Sequence, residues 1–121
     1  MPEFSARSKA MLGTAHEDLQ KLFNEVIKDY DCIIIQGHRG QIEQDQDFAK
    51  GLSKLKWPNG RHNADPSLAV DACPQYTGDW PSDDKFKEFA DYVKACANTL
   101  NIKITWGGDW EWKDNDHFEL S

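Results

Sequence analysis

Ser67-Leu68-Ala69-Val70-Asp71-Ala72-Cys73 is the stretch on which the fold turns. Successive side chains of a strand point to opposite faces, so Leu68, Val70 and Ala72 go one way and Ala69, Asp71 and Cys73 the other. If the first set faces the main core, Asp71 is aimed at the opposite side, where a site can form. Upstream, residues 53 to 66 contain Pro58, Asn59, Gly60 and Pro66 and read as a loop; downstream, residues 74 to 81 are a second loop of turn formers.

Further out, Leu19, Leu22, Phe23, Val26 and Ile27 recur at helical spacing between Ala15 and Asp29, and Glu17 and Asp18 suit the positive helix start. Cys32-Ile33-Ile34-Ile35-Gln36 reads as a buried strand ended by Gly37. Residues 41 to 52 suggest a surface helix anchored sparsely by Ile42, Phe48, Ala49 and Leu52. Ser82 is a good N-cap for a helix reaching Leu100 that buries Phe86, Phe89, Ala90, Val93 and Ala97. Residues 102 to 106 and 116 to 120 read as strands around a polar loop, and residues 1 to 14 as an irregular N-terminal arm. Helices and strands mix without a regular βαβ rhythm. The expectation is an α+β fold: a small, largely antiparallel sheet flanked by helices, in a single domain over residues 1–121.

Charge and cysteine content narrow the function classes. Fourteen basic against 21 acidic residues give a net charge of -7 with no basic run, which disfavours a nucleic-acid partner. Cys32, Cys73 and Cys96 are odd in number and lack a CxxC spacing, which suits free thiols in a reducing compartment. The N-terminus has neither a basic nor an apolar leader region, and no run approaches membrane-spanning length. A cytoplasmic origin, no signal peptide, no membrane insertion and a monomeric state are therefore expected.

His62, Asp71 and His117 come from three separate segments: a turn, an alternating strand, and the start of a strand after a loop. Two imidazoles and a carboxylate can supply three ligands to a catalytic zinc ion and leave its fourth position for water. A carboxylate beside that position can act as general base. Asp114 is the choice for that role, although residue chemistry alone does not separate it from Asp116 or Glu119. Arg39, just past the first buried strand, can hold a substrate carboxylate or stabilise an oxyanion, or simply pair with Glu43. Trp80, Trp110 and Trp112 are candidates for a groove, and Trp106 for the core.

Five motifs occur together in order: Gly37-His38-Arg39 with Gln44, Gly60-Arg61-His62-Asn63, Pro66-Ser67-Leu68-Ala69-Val70-Asp71 followed by Pro74, Trp106-Gly107-Gly108-Asp109-Trp110, and His117-Phe118-Glu119-Leu120. Together they resemble the phage endolysin branch of the D-Ala-D-Ala carboxypeptidase (M15) zinc peptidases, over nearly the whole chain. The resemblance implies a fold shared with hedgehog signalling domains and a peptidoglycan stem peptide as substrate, cleaved between L-Ala and D-Glu. It also implies Zn2+ held by His62, Asp71 and His117, with Asp114 as base and Arg39 as the substrate or transition-state arginine. On that reading the protein stays in the host bacterial cytoplasm until released to the periplasm and cell wall. Three departures stand out. Gly60 replaces the serine common two residues before the first ligand, the interval to Asp71 is lengthened through Asp65-Pro66, and the base is aspartate rather than the glutamate of D-Ala-D-Ala dipeptidases. The alternatives are a D-Ala-D-Ala carboxypeptidase or dipeptidase and, from another class, a non-catalytic metal-containing wall-binding module.

Overall fold

Four strands build one antiparallel sheet: β1 (Cys32–Gln36), β2 (Ala69–Pro74), β3 (Ile104–Trp106) and β4 (His117–Leu120), in the order β1-β2-β4-β3. The computed structural model describes residues 2–53 and 55–121. Among these residues four helices accompany the sheet: α1 (Ala6–Leu12), α2 (Glu17–Val26), α3 (Gln41–Ala49) and α4 (Asp83–Thr99). Short 3-10 turns at Arg61–Asn63 and Gly107–Asp109 lie in the loops before β2 and β4. The α+β architecture is the one expected from the alternating and helical patterns.

The register of β2 explains how the sheet separates core from site. Val70 lies opposite Phe118, and Asp71 opposite His117. Phe118 makes edge-to-face contacts with Phe23 of α2 at 5.6 Å and Phe89 of α4 at 5.8 Å, so the Val70–Phe118 side is the face that the two helices cover. Burying each of these rings stabilises the fold by roughly 1.5–3 kcal/mol. Alternation then sends Asp71 and His117 together to the other face. Ser82 caps α4, its hydroxyl accepting from the Lys85 N–H at 3.2 Å, and the five expected apolar residues of that helix are buried.

Two expectations are corrected. Residues 1 to 14 are not an irregular arm: Met1 lies outside the described residues, but Ala6–Leu12 is helical and capped by the Ser5 hydroxyl. This helix docks on β1 partly through a polar contact, the Ile34 N–H donating to the Ser8 hydroxyl at 3.1 Å, so hydrophobic spacing does not reveal it. The loop expected over residues 53 to 66, of which Lys54 lies outside the described residues, contains the turn that carries His62. The other correction concerns α3. Its expected anchors Ile42 and Leu52 are 75% and 66% exposed, while Gln44 is fully buried. A polar network anchors this helix.

Candidate functional site

Cross-strand pairing brings the first two candidate ligands together. Residues directly opposite on antiparallel strands hold their Cβ atoms roughly 5 Å apart, and His117 Nδ1 lies 3.6 Å from Asp71 Oδ1. His62 arrives from the 3-10 turn before β2, with Nε2 at 3.2 Å from the same oxygen. Two hydrogen bonds tie its turn to the end of β1. Arg39 N–H donates to the His62 carbonyl at 2.7 Å, and His62 Nδ1 donates to the Gly37 carbonyl at 2.8 Å. A β-bulge between Ile34 and Gln36 sets Gln36 opposite Asp71, which brings the residues after β1 to the site.

The free nitrogens of both rings are thereby chosen. A carbonyl only accepts, so His62 carries its hydrogen on Nδ1 and presents Nε2 inward. His117 donates from Nε2 to Glu119 Oε1 at 2.8 Å and presents Nδ1. The two nitrogens and one Asp71 oxygen all lie within 4.8 Å of one another. Outer hydrogen bonds of this kind fix the tautomer of metal-ligating histidines. The donor set and its orientation suit a metal ion, and the group is able to hold one.

Electrostatics agree with the geometry. Burial by itself would raise the Asp71 pKa, but His62 and His117 outweigh it and hold the carboxyl below its usual range. Burial likewise disfavours protonated His117, yet hydrogen bonds donated to Asp71 and Glu119 carry its pKa up to about 9. Asp71 therefore remains an anion with both histidine rings turned toward it.

A cavity of about 260 Å3 opens beside this group, lined by Arg39, Arg61, Trp110, Trp112, Asp114 and Glu119 among others. The three acids left open by residue chemistry now separate. Glu119 is engaged by His117 and by Arg61 Nε at 3.4 Å. Asp116 is not among the residues lining the cavity, and burial, followed by Asp71 and Asp114, pushes its pKa up to about 8. Asp114 lines the cavity. Its position depends on Gly107, whose carbonyl accepts from Asp114 N–H at 3.0 Å.

Arg39 does not pair with Glu43. Its guanidinium donates to Gln36 Oε1 and Gln44 Oε1 at 3.0 Å each, and lies 3.3 Å from Asp47 and 3.5 Å from Asp71. Gln44 Oε1 also accepts from Asn63 Nδ2 at 3.1 Å, while its amide donates to Ser53 Oγ at 2.8 Å and to the Leu55 carbonyl. One buried amide thus connects Arg39 to the turn carrying His62. The roles of Gln36, Asp47 and Gln44 leave no trace in apolar spacing. Glu119 did have a signal, since it shares a strand face with His117. Trp110 packs against His117 with ring centroids 5.0 Å apart, whereas Trp80 packs edge-on against Tyr76 and tilted against Phe86, outside the cavity lining, and Trp106 is buried. His38 Nδ1 meets the Ala64 carbonyl at 3.0 Å, and the three cysteines are free and buried.

Comparison with known proteins finds relatives in both sequence and structure. The family model described as phage L-alanyl-D-glutamate peptidase matches residues 2–121. The L-alanyl-D-glutamate peptidase of Escherichia phage T5 is 29% identical over 122 residues, covering 98% of this chain and 88% of that protein. The crystal structure of the Serratia marcescens L-Ala D-Glu endopeptidase ChiX is similar with a TM-score of 0.83 and 26% identity, covering 99% of this chain and 91% of that one.

Proposed function

This chain belongs to the phage L-alanyl-D-glutamate peptidase family, and from that membership we propose that His62, Asp71 and His117 hold a catalytic zinc ion beside which murein stem peptides are cleaved between L-alanine and D-glutamate. The protein is a peptidase of the phage endolysin kind, degrading peptidoglycan. The observation that carries the residue assignment is the convergence of two nitrogens and one carboxylate oxygen, within 4.8 Å of one another, beside a cavity that both histidines line. Two histidines and a carboxylate are a zinc set that leaves a position open, and zinc there supplies a Lewis acid and lowers the pKa of bound water to about 7.

The chain's own residues supply the rest. Asp114 takes the proton of the attacking water and delivers it to the amine that leaves. Arg39 keeps Asp71 oriented through its contact at 3.5 Å. Of its five N–H donors, one on Nη1 has no hydrogen-bond partner among the described residues, and it meets the negative charge that develops on the scissile carbonyl oxygen. Trp110 and Trp112 line the cavity and limit water around the reacting amide. Among the described residues no helix is long and apolar enough to cross a membrane.

Incubating the zinc-loaded protein with a purified stem peptide tests the reading. A new D-glutamate amino terminus supports it, and released D-alanine refutes it. Asp114→Asn is expected to lower kcat about 10²- to 10⁴-fold with metal content unchanged. Unaltered hydrolysis by that variant would show that the base lies elsewhere.

A further inference from the structure

The cavity holds two arginines in different circumstances. Arg39 is 12% exposed, and its charge is offset by Asp47 and Asp71. The fork of its guanidinium is occupied by Gln36 and Gln44. Arg61 is 46% exposed and meets one carboxylate, Glu119, on its Nε edge at 3.4 Å. Among the described residues neither of its two terminal amino groups makes a hydrogen bond. Its backbone is held in place: it belongs to the 3-10 turn that carries His62, and its carbonyl accepts from the Leu68 N–H at 3.1 Å. A guanidinium gripped on the Nε side and open at its two amino groups is suited to a second carboxylate, taken with two parallel hydrogen bonds.

The proposed substrate brings such a group to this place, and the inference rests on that reading. The scissile nitrogen of an L-alanyl-D-glutamate bond belongs to the glutamate. Glutamate has two carboxyl groups, and only one of them can extend the peptide. The other remains as a free carboxylate or is amidated, within a few bonds of the carbonyl that must face Asp71, His62 and His117. The acids Asp114 and Glu119 line the same cavity, and the chain as a whole carries a net charge of -7. An incoming carboxylate therefore needs a cation with both terminal amino groups open for a two-pronged pair, and among the described lining residues only Arg61 offers that, since Gln36 and Gln44 occupy those of Arg39.

We propose that Arg61 is a specificity-determining residue, which takes the free carboxylate of the substrate's D-glutamate in a two-pronged ion pair and so selects that form over the carboxamide. A carboxamide presents one acceptor and an N–H2 group that opposes the arginine donors, so it loses both the charge and one hydrogen bond.

Two synthetic stem peptides, identical except for carboxylate or carboxamide on the D-glutamate, provide the test. The zinc-loaded wild-type protein is expected to favour the carboxylate by about 10- to 100-fold in kcat/KM, carried mainly by KM, as hydrogen bonds to charged groups imply. Arg61→Gln brings the ratio of the two peptides close to one by losing the carboxylate substrate, and Arg61→Lys keeps part of the preference. Because the ratio is taken within each variant, a general loss through Glu119 and His117 cancels. A wild-type protein indifferent to amidation, or an Arg61→Gln variant that keeps the wild-type preference, overturns the proposal. Failure of the wild-type protein to cleave either peptide would instead refute the proposed peptidase substrate, and this inference with it.

Discussion

Gly107→Ala offers a sharp test of how the proposed base, Asp114, and the proposed ligand His117 are placed. An added Cβ would stand 2.4 Å from the Asp114 carbonyl oxygen and 3.0 Å from both Asp114 Cβ and His117 Cβ. The first contact is with backbone, which cannot rotate aside as a long side chain can. That same carbonyl accepts from His117 N–H at 3.1 Å, so displacing it moves Asp114 and His117 together. Relief requires a shift approaching 1 Å in the segment that connects them. Overpacking of this size costs about 1–3 kcal/mol, or roughly 5–15 °C in Tm for a domain of this length. A misplacement of about 1 Å at an active site can lower the rate about 10²-fold. The activity loss should therefore exceed what the lost stability explains at a temperature where the variant is still folded. Thermal unfolding, bound-metal analysis and kcat/KM on the stem peptide measure the three effects. Gly40→Ala serves as the control, since an added Cβ meets nothing within 4 Å there. Native Tm and native kcat/KM in Gly107→Ala would refute the packing argument and the placement of Asp114.

Other perturbations read separate parts of the molecule. Gln44→Leu removes the acceptor shared by Arg39 and Asn63 and leaves buried donors unpaired; urea unfolding should show a loss of roughly 2–4 kcal/mol, and a wild-type midpoint would count against the network. Chelation with EDTA should abolish hydrolysis and lower Tm, with added zinc restoring both; at a hundredfold excess over Kd, the metal stabilises by about 2.7 kcal/mol. Burial, followed by the charges of Asp31 and Cys73, pushes the Cys32 thiol from 9.0 up to about 12. Its protonated form is favoured in the folded chain, so that stability is complete below the unfolded pKa near 9 and is lost as pH rises toward 12. By pH 10 the wild-type protein should lose about 1 kcal/mol more than Cys32→Ala, measured by denaturant unfolding at each pH, and parallel pH profiles for the two would rule this out.

Local patterns carried much of the architecture and the outline of the site. The alternation through Val70, Asp71 and Ala72 separated core from site, and the sheet register confirms it, with Val70 facing Phe118 and Asp71 facing His117. The apolar spacing of α2 and α4 likewise announced both helices, because regular burial on one face leaves a period in the chain. His62, Asp71 and His117 stood out by residue type and by their positions on separate segments. What the chain's pattern left open was decided by contacts between distant residues. Helix α1 holds to β1 through Ser8, and α3 through the buried amide of Gln44, and a polar anchor leaves no apolar period. Asp114, Asp116 and Glu119 are chemically alike in the sequence. Only folding gives Glu119 to His117 and Arg61, leaves Asp116 half-buried under the influence of Asp71, and sets Asp114 at the cavity wall, because an acid's role depends on the charges and donors around it, and those arrive from other parts of the chain.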